Sequence, residues 1–413
     1  MSIMTDRMIR EEITRSAEAA QRFLGELVRV PSDNPAGDCA PHAEHTARLL
    51  EAMGFAVERH VVPAETVRAH GMISATNLIV RHRFGPGPTI ALNAHGDVVP
   101  PGTGWSVDPY GAVIKDGWMY GRGVAVSKSD IATYAFALAA LRDSKAALNG
   151  TVELHITYDE ESGGEIGPGW LLAQNLTKPD LAIGAGFSYA VVNAHNGCLH
   201  LEVTVSGKSA HAAMPATGAD ALEATNAILT ALYQSRAALS QTISAIPGIG
   251  TPQITVGLIE GGINTNVVPD RIVFRLDRRV IPDEAIGDVE ANLIRDIRQA
   301  VAHFPGITVE AKRILAADPL VPSPGGARLT ELLCARASEI FGEPIIVKGV
   351  PLYTDARHYA AAGVPIILYG AGPRTIELAN AHRADERLEL ADLRRATEVI
   401  ALTLFDLLAR QAP

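Results

Sequence analysis

The sequence predicts an α/β fold in which a mostly parallel-sheet domain is interrupted by an inserted, smaller α+β domain. Three observations carry that expectation. Up to about residue 198, short buried apolar runs alternate with stretches of helical period, the pattern of strands joined by crossover helices. The texture then changes to strands with one polar face and two long helical stretches. Helix and buried strand resume toward the C-terminus. The boundaries follow as 1–198 and 314–413 for the larger domain and 199–313 for the insertion, and 413 residues are enough for both cores.

The elements follow in order. Residues 7–30 have helical periodicity and stop at Pro31, whose ring cannot continue a helix. Residues 32–36 read as a polar, Pro-containing loop, and 41–53 as a second helix. Residues 77–80 and 89–93 are apolar runs of strand length, and the second leads directly into His95 and Asp97. Open α/β sheets collect ligands at the carboxyl edge of their strands. A Gly- and Pro-rich loop is expected over 100–123, then a helix over 131–141. A strand over 152–158 brings Glu160 and Glu161 to the same edge as His95. Within the insertion, 199–206 alternates as a half-exposed strand and 219–239 is a long helix. Residues 253–258 and 272–276 read as strands, and 283–301 as a helix. A helix over 327–341, a buried strand over 366–369 and a helix over 391–408 complete the larger domain.

Composition excludes several functions. Apolar residues make up 47% and charged residues 20%, a globular balance. A net charge of -10 leaves no basic footprint for nucleic acid or an anionic membrane. No run approaches the roughly 18 apolar residues of a membrane span. Residues 1–15 mix acids and bases without the apolar stretch of a secretory signal. Cys39, Cys198 and Cys334 are odd in number and far apart, so neither a disulfide framework nor a Cys-x-x-Cys knuckle is expected. They read as packed thiols in a reducing compartment, and the protein as cytoplasmic.

The chemistry concentrates in three places: His95-Gly96-Asp97, Glu160-Glu161 after Tyr158-Asp159, and His382 in Asn380-Ala381-His382-Arg383. Two imidazoles and a carboxylate hold a borderline divalent ion such as zinc. A neighbouring Glu can then take a proton from water activated by that ion. The glycine pairs Gly163-Gly164 and Gly261-Gly262 read as turns, not phosphate loops, since no such pattern leads into a helix.

These strings, with Asp108-Pro109-Tyr110, Tyr120-Gly121-Arg122-Gly123, Gly207-Lys208-Ser209-Ala210-His211, Asn266-Val267-Val268-Pro269, Asp277-Arg278-Arg279 and Thr354-Asp355-Ala356-Arg357, occur in one order over most of the chain. In this the sequence resembles the M20 family of metallopeptidases and amidohydrolases, which includes aminoacylases, glutamate carboxypeptidases and desuccinylases. The resemblance implies a catalytic domain split by a lid domain that often makes a homodimer. It implies that His95, Glu161 and His382 are metal ligands and that Asp97 orients the His95 ring. Glu160 would be the general base, and His211 the histidine that stabilises the oxyanion from the lid. Asn266 and Arg279 would hold the substrate, although Arg278 or Arg279 could instead pair with Asp277.

Two positions depart from the family pattern. After Gly-Arg-Gly the family carries an Asp that bridges two metals, with a Lys two residues on. Here Lys128 keeps register and Val126 stands in the place of the Asp. An acidic ligand is also expected upstream of the glycine that opens the insertion's first strand; Gly197 fills the glycine's place and Ala185 the acid's. Two divalent ions about 3.5–4 Å apart repel unless a carboxylate lies between them. One ion per chain is therefore expected, zinc first, with manganese or cobalt also suited to these donors. Asp130 could substitute for a lost ligand or simply favour the start of its helix; His195 could lean in or be structural. The expected activity is hydrolysis of an amide C–N bond in a small carboxylate-bearing molecule. An unusual non-peptide C–N bond, such as that of an aryl amine, and a degenerate ligand-binding member stand as alternatives.

Overall fold

The computed structural model describes residues 2–409, so Met1 and residues 410–413, which the expected N-terminal reading and domain bounds include, lie outside the described residues. In chain order the strands are β1 (Val57–Val61), β2 (Thr76–Arg83), β3 (Thr89–His95), β4 (Val113–Lys115), β5 (Trp118–Tyr120), β6 (Thr151–Thr157), β7 (Leu181–Gly184), β8 (Val191–His195), β9 (Gly197–Ser206), β10 (Gln253–Gly261), β11 (Arg271–Val280), β12 (Thr308–Ala317), β13 (Val347–Val350), β14 (Ile366–Leu368) and β15 (Arg387–Glu389). The chain forms two compact units. One runs to Asn193 and takes in Pro322–Val347 and the chain from Thr354; the other holds Ala194–Val321 and Lys348–Tyr353.

The first unit is built on an eight-stranded sheet of order β1-β2-β6-β3-β7-β14-β8-β13. Its centre is parallel: β3 pairs in parallel with β6 and β7, and β14 with β7. β1, β2 and β8 join it antiparallel. Strands buried on both faces read as continuous apolar runs, which is how β3 and β6 look in the sequence. The helix Lys128–Asp143 is buried on nearly every side, so its sequence is weakly amphipathic. It packs between Ser2–Arg29 and Leu390–Leu408, with Leu24, Leu27, Ile131, Leu138, Val399 and Leu402 in one core. Buried Lys128 anchors the start of this helix. Its Nζ donates to the carbonyls of Leu27 at 3.1 Å and Val30 at 3.2 Å, satisfying the end of the first helix. Burial lowers that amine to about 7.

The expected loop over 100–123 is only partly loop: it contains the β4–β5 hairpin, to which β15 adds antiparallel. Strands of three residues around Asp116-Gly117 are too short for an alternation signal.

The second unit has a four-stranded antiparallel sheet of order β10-β11-β9-β12. Leu199, Leu201, Val203 and Val205 of β9 pack on Ala224, Ile228 and Leu232 of the helix Ala221–Leu239 and on Leu293 and Ile297 of Ile286–Ala300. Alternate residues Cys198, His200 and Glu202 therefore point to the opposite face. β12 runs to Ala317, so this unit continues past residue 313.

Candidate active site

Every element of the site in the first unit ends at the carboxyl edge of the sheet. β3 ends on His95, and β6 is followed by Tyr158-Asp159 and a single 3₁₀ turn, Glu160–Ser162. Gly96 must lack a side chain because a Cβ would collide with the Tyr158 ring. That lets the chain turn so that Asp97 folds back beneath His95. The His95 Nδ1 lies 3.0 Å from the Asp97 carbonyl and 3.3 Å from its Oδ1. An Nδ1–H donated there leaves Nε2 with a free lone pair, the tautomer a metal ligand needs. The Asp97 carboxylate also accepts from the Glu160 amide at 3.3 Å, the Glu161 amide at 3.1 Å and Asn34 Nδ2 at 3.0 Å. One buried carboxylate thus sets both the imidazole and the two glutamates.

The donor atoms of His95, Glu160 and Glu161 all lie within 4.8 Å of one another. Glu160 Oε2 is 4.0 Å from His95 Nε2. Glu161 Oε1 is 3.4 Å from His382 Nε2, and it is buried without a hydrogen bond. His382 sits on a loop with φ of 62°, half exposed, so its ring reaches in from the rim.

Charge accumulates here beyond the residues that the sequence singled out. Asp355 contacts Thr157 Oγ1 through Oδ2 at 3.4 Å, while its Oδ1 is buried and unpartnered. Gly164, with φ of +74°, leaves room for that oxygen. Asp159 gives one oxygen to the Ile166 amide at 2.6 Å and leaves the other buried and unpartnered. Burial, then Glu160, pushes the Asp355 carboxyl well up; burial, then Asp355, does the same to Asp159. Burial raises Glu160 to about 8. Burial opposes a charge on His95, yet Glu160, Asp97 and Glu161 together raise it. Carboxylates that crowd one imidazole in a dry pocket, with unpartnered oxygens, suit a bound cation. The donor set of imidazole and carboxylates fits a divalent ion such as zinc, manganese or cobalt.

Val126 and Ala185, the two departures from the family pattern, are held by hydrogen bonds from their backbone amides. The Val126 amide is bonded to Glu386 Oε1 at 3.3 Å, and Glu386 forms a buried pair with Arg122 at 2.5 Å. Glu386 also accepts from the Ala125 amide at 3.0 Å, and its carbonyl from the Gly121 amide at 2.9 Å. The Gly-Arg-Gly segment is therefore a clamp between the Val126 loop and the His382 loop. Ala185 follows β7, beside β3, and its amide bonds to the Asn93 carbonyl at 2.8 Å. Asp130 accepts from the Ala371 amide at 2.6 Å and from the Gly186 amide, tying its helix to the sheet edge.

The remaining residues lie in the second unit. His195 ends β8, with Nδ1 2.9 Å from the Asn196 carbonyl. His211 pairs with Val267, and the Ala212 amide bonds to the Asn266 carbonyl at 3.0 Å, so His211 and Asn266 adjoin on exposed loops. Of the paired arginines it is Arg279 that meets Asp277, at 3.0 Å, while Arg278 bonds to Glu284 at 2.6 Å.

Asp355 and Asn34 were missed as site residues. Asp355 opens the short helix Ala356–Ala361 within a string already noticed, and a buried acid before a helix was the available signal. Asn34 lies in the loop after the first helix, and nothing local marks it.

A model for the peptidase family M20/M25/M40 matches residues 91–406. The succinyl-diaminopimelate desuccinylase of Acidiphilium cryptum is 30% identical over 384 residues, 91% of this chain and 94% of that protein. The acetylornithine deacetylase of Proteus mirabilis is 29% identical, with 86% of each chain covered. Among solved structures, an M20 family metallo-carboxypeptidase from Sulfolobus solfataricus superposes with a TM-score of 0.74 at 18% identity, over 94% of this chain and 98% of that one. A dinuclear metal-binding M20 peptidase from Bacillus subtilis superposes with a TM-score of 0.69 at 16% identity, over 96% and 99%. No helix among the described residues is long and apolar enough to cross a membrane. The chain belongs to peptidase family M20/M25/M40, hydrolases of C–N bonds.

Proposed function

We propose that this protein hydrolyses the amide bond of a small carboxylate-bearing substrate with the help of one divalent ion. The observation that carries the reading is the convergence of His95, Glu160 and Glu161 among buried carboxylates with unpartnered oxygens. His95, Glu161 and His382 would hold the ion. When bound, it supplies Lewis-acid polarisation of the carbonyl and lowers the pKa of a water.

The protein's own residues do the rest. Asp97 fixes the His95 ring and the Glu160 and Glu161 backbone. Glu160 takes a proton from the attacking water and gives it to the departing nitrogen, general base and then general acid. His211 would donate to the developing oxyanion. Asn266 and Arg279 would anchor the substrate carboxylate, a bidentate task suited to a guanidinium. The family resemblance supports these last three roles and a homodimer through the second unit, and the free cysteines Cys39, Cys198 and Cys334 support a cytoplasmic location. A single ion rests on Val126 and Ala185, which offer no oxygen to a second.

The relatives' names make N-succinyl and N-acetyl diamino acids the first substrates to assay, with aryl amines beside them. Hydrolysis of the acylated amino acids, lost on chelation and restored by zinc, manganese or cobalt, is expected. Turnover of aryl amines alone would move the activity to a different C–N bond. Metal-loaded protein inert to the whole panel would leave a binding protein.

A further inference from the structure

The second unit carries a separate cluster of metal donors on the open face of its sheet. Cys198 and His200 are two residues apart on β9 and share a face. Asp277 on β11 stands directly opposite His200, and Arg279 directly opposite Cys198. The Cys198 Sγ is 3.1 Å from His200 Nε2, Asp277 Oδ2 is 3.1 Å from the same nitrogen, and Sγ and Oδ2 are 3.8 Å apart. Donors on one tetrahedral zinc, bound at about 2.0–2.3 Å, lie roughly 3.3–3.6 Å from one another. The three distances bracket that value without any strand having to move.

A nucleophilic reading fails on geometry. A Cys-His-Asp relay needs the acid on one ring nitrogen and the thiol on the other. Here both address Nε2, so three donors face one point. We propose that Cys198, His200 and Asp277 bind a thiophilic divalent ion of the zinc class, linking β9 to β11.

Arg279 completes the arrangement. It bonds to Asp277 through Nε, 3.0 Å from Oδ1 and 3.2 Å from Oδ2, which fixes the carboxylate and leaves Oδ2 facing the histidine. Cys198 is buried, while His200 and Asp277 are part-exposed, which gives an ion a way in and leaves a fourth position open. Every donor lies in the second unit, and only Arg279, through its bond to Asp277, is shared with the hydrolase reading.

The test is a cobalt(II) titration of the full-length protein. Cobalt bound by a thiolate shows a near-ultraviolet sulfur-to-metal charge-transfer band; imidazole and carboxylate donors alone do not give it. A band that is complete by two added equivalents, one for this cluster and one for the site of the first unit, is expected in the parent and in Cys39→Ser and Cys334→Ser. Cys39 cannot supply it, because burial pushes its thiol up and its Sγ donates to the Ser32 carbonyl. The band should vanish in Cys198→Ser and in His200→Gln, the latter a part-exposed change that spares the buried thiol. Absence of the band in the saturated parent, or its survival in either variant, overturns the proposal.

Discussion

Replacing Glu160 with Gln should lower kcat on the order of 10³-fold, the usual worth of a positioned general base, and leave the bound metal in place. The substitution keeps the shape and the backbone hydrogen bond to Asp97 Oδ1, so the loop should not shift. What it removes is the ability to accept a proton. The measurement is kcat beside metal content for the same preparation. The distinction matters because Glu160 lies close enough to His95 and Glu161 to ligate as well. If metal and activity fell together, Glu160 would be a ligand and the base would have to be found elsewhere.

Arg122→Met should cost about 3–5 kcal/mol of folding stability, read as a lower denaturant midpoint. Both partners of the Arg122–Glu386 pair are 1% exposed, so losing the guanidinium strands a buried carboxylate. Burial already pushes Glu386 up, and Arg122 is the first of the groups that pull it back. Adding Glu386→Gln should recover part of the loss, because the amide removes the charge yet can still accept from the Ala125 and Val126 amides. A single-variant cost below about 1 kcal/mol would show that the pair is solvated and that the two loops are held otherwise.

What the sequence made legible follows from where information is stored along the chain. β3 and β6 are apolar on both faces and end in chemistry-bearing residues, so strand and site could be read together. The long helices Ser2–Arg29 and Leu390–Leu408 stood out by period and length. β7 and β13 have only four residues each, too few for a period, whereas the three-residue β14 showed as an unbroken apolar run. β12 reads Thr-Val-Glu-Ala-Lys-Arg-Ile-Leu-Ala-Ala, half polar along an edge of its sheet, and merged with its surroundings.

The site divides along the same line. His95 and Asp97 are joined by local backbone geometry, Glu160 and Glu161 are neighbours, and the two strings that hold them can be recognised and meet through the β3–β6 pairing. Asp355 and Asn34 reach the cluster only through tertiary packing, one from a short helix and one from a loop. The Cys198, His200 and Asp277 cluster needed the β9–β11 register, which no local pattern encodes; taken alone, Cys198 read as a packed thiol. The losses at Val126 and Ala185 were legible because Lys128 and Gly197 kept the frame around them.

The single-metal claim is tested most directly by metal content and amidase activity measured together in Cys198→Ser, where the proposed ion of the second unit is removed. The variant, stripped and then titrated with zinc, should regain full activity at one ion per chain and bind no second ion tightly. Activity that rises only as a second equivalent binds would contradict it, and would mean that oxygens such as those of Asp355 hold a second ion despite Val126.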